Sequence, residues 1–107
     1  MSATLKRIRA LVAAGKVLIS NHGYDELAAD DIFVADVLAG LAAAQVVEDY
    51  PDATRGPSVL VLESDAVGDL FHAVWGIPQG KSEPAVLVTA YRPDPQLWVE
   101  GFLARRK

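Results

Sequence analysis

Cysteine is absent from this 107-residue chain, which excludes a disulfide framework and any thiolate zinc site and gives no sign of an oxidising compartment. Long apolar runs are missing as well. The richest stretch, Val34 to Val47, is interrupted by Asp36, Gly40 and Gln45 and falls short of the roughly 18 to 20 residues that cross a bilayer, so no membrane span is expected. Lys6, Arg7 and Arg9 precede only a short apolar patch that Gly15-Lys16 closes without a signal-peptidase pattern, and a cytoplasmic location is expected. Positive charge is scarce, with 10 Lys and Arg against 14 Asp and Glu and a net charge of −4, which argues against a generic nucleic-acid binder. Histidine occurs twice, at His22 and His72. There is no HExxH pair, EF-hand loop, phosphate-cradling glycine motif or GxSxG elbow, so neither a metal nor a cofactor is expected.

What remains is the composition of a globular domain, 51% apolar and 22% charged, with a length that suits one core and a single domain over residues 1–107. Leu5, Ile8, Leu11 and Val12 recur at helical spacing, which predicts a helix from Thr4 to Ala14 ended by Gly15. A short apolar run, Val17 to Ile19, leads to Ser20 and Asn21. These are good N-caps for a second helix over about His22 to Asp30. Val34, Val37, Leu38 and Leu41 predict a third helix reaching about Ala44. Four strand-like runs follow, Gln45 to Tyr50, Ser58 to Glu63, Leu70 to Ile77 and Ala85 to Tyr91, joined by turns rich in Gly, Asp and Pro. Pro95 suits the first turn of a terminal helix bearing Leu97, Trp98, Phe102 and Leu103. The expected architecture is α+β, with N-terminal helices on a small, mainly antiparallel sheet of about four strands and a C-terminal helix.

The basic residues segregate. Lys6, Arg7, Arg9 and Lys16 lie near the start and Arg92, Arg105, Arg106 and Lys107 near the end, with twelve acids from Asp25 to Glu83 between them. If the ends meet, they form one basic surface. Period-two alternation places His72 on the face of Leu70 and Val74, where an imidazole titrating near neutral pH can act as acid or base or simply be a half-buried core group. Tyr91 and Arg92 end a strand just before Pro93, and Arg92 can fork onto a phosphate or pair with Asp94 or Glu100. His22, Tyr24 and Glu26 are a second polar group, since His22 reaches Asp25 or Glu26 one helical turn on. Trp98 and Phe102, four residues apart, read as core.

Ser20-Asn21-His22, Val46-Val47-Glu48-Asp49-Tyr50-Pro51, Gly56-Pro57-Ser58, His72-Ala73-Val74 and Thr89-Ala90-Tyr91-Arg92-Pro93-Asp94, taken as one ordered set, resemble the family catalogued as domain of unknown function 4258. That resemblance implies a small prokaryotic α+β protein similar in layout to the RelE, BrnT and MqsR toxins. It further implies a small antitoxin partner of the zinc-finger and helix-turn-helix type, and cleavage of messenger RNA by attack of a ribose 2′-OH on the adjacent phosphate. Such chemistry needs a base, an acid and a cation, which His72, Tyr91 and Arg92 could supply without metal. The second helix departs from this picture, because Glu26 and Asp30 would repel a phosphate backbone. Asp25, Glu26, Asp30 and Asp31 together suit the alternative of a non-catalytic module that docks a basic partner protein.

Overall fold

The computed structural model describes residues 2–106. Helix α1 (Ala3–Ala13) starts where Ser2 accepts the Leu5 N–H. It stops at Gly15, whose φ of 75° takes the left-handed turn that a side chain would resist. Strand β1 (Val17–Ile19) precedes α2 (Asn21–Ala29), which is capped by Ser20. α3 (Val34–Gly40) continues as a short 3-10 turn over Leu41–Ala43. The strands β2 (Gln45–Tyr50), β3 (Ser58–Ser64), β4 (Leu70–Gly76) and β5 (Ala85–Tyr91) follow.

The α+β reading holds, with two corrections. The sheet has five strands, ordered β1-β5-β4-β3-β2, because Val17–Ile19 pairs in parallel with Ala85–Leu87. A three-residue apolar run carries no periodicity of its own, and only the exposed edge of β5 makes it a strand. Chain continuity then makes the sheet mixed: β2, β3, β4 and β5 form the expected antiparallel meander. The C-terminal helix is not seen. Residues 93–106 begin with one turn, in which the Trp98 N–H reaches the Asp94 carbonyl, and then fold back so that Trp98 bridges Arg105. Gly101 and Phe102 both adopt positive φ, a conformation that ends helical propagation.

Alternation along the strands gives the sheet two unlike faces. One carries Val59 and Val61 of β3, Phe71, Ala73 and Trp75 of β4 and Leu87 and Ala90 of β5, and packs against Leu5 and Ile8 of α1, Leu27 of α2 and Val37 of α3. The second face carries Leu60, Leu62, His72 and Tyr91. It is covered over part of its area by the 93–106 segment through Trp98 and Phe102. The expected single basic surface is therefore overturned: α1 lies on one face and Arg105 on the other. Arg9 is spent on the Leu41 and Ala44 carbonyls at 3.1 and 2.9 Å; Lys107 lies outside the described residues.

Candidate functional site

The second face concentrates polar groups that strand register places side by side. His72 of β4 stands directly opposite Tyr91 of β5. Its Nδ1 lies 3.2 Å from the Tyr91 hydroxyl, and its Nε2 lies 2.8 Å from the Phe102 carbonyl, to which it donates when that nitrogen carries the proton. Trp98 packs edge-on against the imidazole with centroids 4.5 Å apart. His72 is completely buried. Burial holds its pKa below the usual histidine value, although the Phe102 carbonyl works against the shift. The ring is thus a neutral hydrogen-bonded strut between sheet and C-terminal segment.

Beside it, a β-bulge between Val46 and Glu48 puts Glu48 opposite Leu60 and Tyr50 opposite Ser58, both on the second face. Glu48 accepts from Arg105 through both carboxylate oxygens, 2.7 Å from Nε and 3.1 Å from Nη2, and it also accepts from the Tyr50 hydroxyl. Arg105 holds the Glu48 carboxyl below the usual carboxylate range; Tyr50 and the nearby His72 contribute in the same direction. The hydrogen bond to Glu48, helped by burial, pushes Tyr50 up against the opposing influence of Arg105, and burial pushes Tyr91 up. Arg105 also lies over the Trp98 ring, 4.5 Å from its centroid, a cation–π contact that fixes the guanidinium. Of its nitrogens, Nη1 has no hydrogen-bond partner among the described residues.

Of the residues singled out from sequence, His72 and Tyr91 meet and Arg92 does not join them. Successive strand residues point to opposite faces, so Arg92 turns toward the helix side. There its guanidinium pairs with Asp65 at 2.9 Å and lies 5.8 Å from the Phe71 ring centroid. Its backbone N–H donates to Asp30 at 2.7 Å. Burial alone would raise the Asp65 carboxyl, yet the N–H groups of Asp69 and Val67, together with Arg92, hold it below the usual range. Neither Asp94 nor Glu100 is the partner of Arg92. His22, Tyr24 and Glu26 sit on α2 in the helix layer, with His22 and Glu26 3.7 Å apart and both solvent-exposed. Asp25 and Asp31 are exposed, while Asp30 is half-buried under its bond to Arg92.

Sequence reasoning missed Glu48, Tyr50 and Arg105 as site residues. Glu48 and Tyr50 were legible only as strand residues in a characteristic block, and a bulge is what turns both onto one face. Arg105 stood in an expected helix and looked like a tail charge.

A helical layer on one face of a mixed five-stranded sheet, with a histidine–tyrosine and glutamate–arginine cluster on the other, defines a small α+β protein with a polar site on its sheet surface. The chain belongs to the family described as domain of unknown function DUF4258, which it matches over residues 19–92. That span includes Glu48, Tyr50, His72 and Tyr91 and stops short of Trp98, Phe102 and Arg105. No curated protein and no solved structure matches the chain.

Proposed function

We propose that this chain is a toxin-type, metal-independent RNA endonuclease whose active surface is the second face of the sheet. The observation that carries the reading is the Glu48–Arg105 pair: a carboxylate, a guanidinium with one free edge, and two tyrosine hydroxyls on one half-open face. Glu48 takes the proton of a ribose 2′-OH as its oxygen bonds to phosphorus, and the P–O5′ bond breaks. Tyr50 or Tyr91 donates the proton to the leaving O5′, which yields a 2′,3′-cyclic phosphate and a 5′-hydroxyl end. Arg105 neutralises charge on the phosphorane.

The pair also links binding to base strength. Arg105 keeps Glu48 a weak base in the free protein; a phosphate on the free Nη1 edge shares the guanidinium's charge and weakens that influence, so Glu48 becomes more basic as substrate arrives. His72 positions Tyr91 and the Phe102 turn. A cytoplasmic setting and a small antitoxin of the zinc-finger and helix-turn-helix type belong to this same reading.

The test is cleavage of a defined single-stranded RNA by the purified chain in the presence of chelator. Glu48→Gln and Arg105→Ala should each lower the rate roughly 100- to 10,000-fold while the protein stays folded. Uncut RNA with the wild-type chain would overturn the reading in favour of the second one, a non-catalytic module that docks a basic protein. That alternative is supported by the exposed Asp25 and Asp31 and the half-exposed Glu26 on and beside α2.

A further inference from the structure

The part of the second face that the C-terminal segment leaves bare is a trough of about 360 Å³. Its floor is Val74, Gly76, Val86 and Val88, and its rim carries Arg55 and Ser58. Three observations say what fits it. The floor is apolar and open because Gly76 has no side chain: a Cβ there would stand 3.7 Å from the Ser58 Cβ and 3.9 Å from Val88 Cγ2, so any larger group would grow into the trough. The rim groups are free, since neither the Arg55 guanidinium nor the Ser58 hydroxyl hydrogen-bonds to another described residue. The trough also adjoins the polar cluster. Ser58 pairs directly with Tyr50, and Val74 follows His72 on the same face at a distance of about 7 Å for two strand residues. A flat apolar slot with one forked donor at its edge, one nucleotide's reach from a phosphate site, matches a nucleobase.

We propose that this trough is the subsite for the nucleobase next to the scissile phosphate, with guanine preferred. The base lies on the valine floor, and Arg55 donates to its O6 and N7, an acceptor pair that adenine, cytosine and uracil do not present. This rests on the endonuclease reading for its role, but the subsite can be tested without cleavage.

The first arm follows the valine methyl signals of the whole chain by NMR while 5′-guanosine monophosphate or 5′-uridine monophosphate is added. The guanosine nucleotide should shift Val74, Val86 and Val88 at lower concentration than the uridine one. Gly76→Val, which fills the floor without requiring an unusual backbone, should remove the response. Arg55→Ala, an exposed change that leaves the core untouched, should erase the difference between the two nucleotides. The second arm maps cut sites in a mixed-sequence RNA. Guanine should be enriched on one side of the cut, and Arg55→Ala should weaken that preference by roughly 5- to 150-fold. Valine methyls that ignore guanosine monophosphate, together with cutting that is indifferent to the flanking base, would overturn the subsite and leave the endonuclease reading standing. Methyl shifts of the expected pattern with no cleavage would keep the subsite and sink the endonuclease.

Discussion

Two buried ionisable residues govern how single positions respond to pH. Glu63 faces the helix layer with 3% of its surface exposed, and neither carboxylate oxygen has a hydrogen-bond partner. One of those oxygens lies under Gly40, where a Cβ would stand only 2.7 Å away. Burial raises its pKa from 4.5 to about 8, the nearby Trp75 indole working in the opposite direction without reaching hydrogen-bond geometry. The folded state therefore keeps a proton that the unfolded chain loses above 4.5, and stability falls with rising pH until Glu63 ionises near 8. His72 acts in the opposite sense, because its lowered folded pKa means the unfolded chain binds the extra proton, so stability is lost as pH drops below 6.5. Between 6.5 and 8 Glu63 acts without that opposition, and urea unfolding should show a decline on the order of 1 kcal/mol per pH unit. Glu63→Gln should flatten this window. His72→Ala should cost about 3 kcal/mol through the cavity and the stranded Phe102 carbonyl, read as a lower denaturation midpoint. Because His72 positions Tyr91 and also holds the fold together, it is tested by stability and Glu48 by rate.

At the scale of elements, the segment after β5 forms a small second core. Trp98 is 3% exposed and packs on His72. The segment is also held by Arg105 on Glu48 and by Arg106, whose Nε donates to the Pro95 carbonyl at 2.8 Å. Trp98→Ala should cost roughly 3 to 5 kcal/mol and should speed amide exchange of residues 97–106 more than that of β3. Uniform loss of protection would mean that the segment and the sheet unfold as one. The Arg92–Asp65 pair ties the end of β5 to the β3–β4 turn on the other side. It is partly exposed, so Arg92→Ala should cost only about 1 kcal/mol. The expected helix failed because the i, i+4 spacing of Trp98 and Phe102 describes a helical face only if the intervening backbone can propagate. Gly101 and Phe102 instead turn left-handed, which aims the Phe102 carbonyl at His72.

At the scale of the molecule, the acids of α2 and the arginines of the second face lie on opposite sides of the sheet. Asp25 and Glu26, with the basic residues of α1, belong to the helix layer, while Arg55 and Arg105 belong to the second face, the one proposed to take RNA. The acidic surface is therefore no obstacle to RNA on the opposite side, and it remains free for a basic partner. Asp30 is already committed to the Arg92 N–H, so a clean test of docking changes Asp25 and Glu26 to Lys. Association with a basic antitoxin should slow at low salt and less so at high salt. A rate that is unchanged at both would place the partner elsewhere.

Periodicity and turn signals along the chain were enough to place three helices, four of the five strands and the antiparallel meander in order. Each of these follows from periodicity or turn chemistry within a few dozen residues. That Tyr91 and Arg92 point to opposite faces follows from strand alternation alone, but which of the two stands beside His72 was set by the β4–β5 register and its bulge. Packing between distant parts of the chain made Val17–Ile19 a strand, folded residues 93–106 back onto the second face and paired Arg105 with Glu48 across 57 positions. Those outcomes depend on a free sheet edge, on two left-handed residues and on a bulge. Each is a matter of which surfaces remain uncovered once the other elements have packed, and no local pattern in the chain records that.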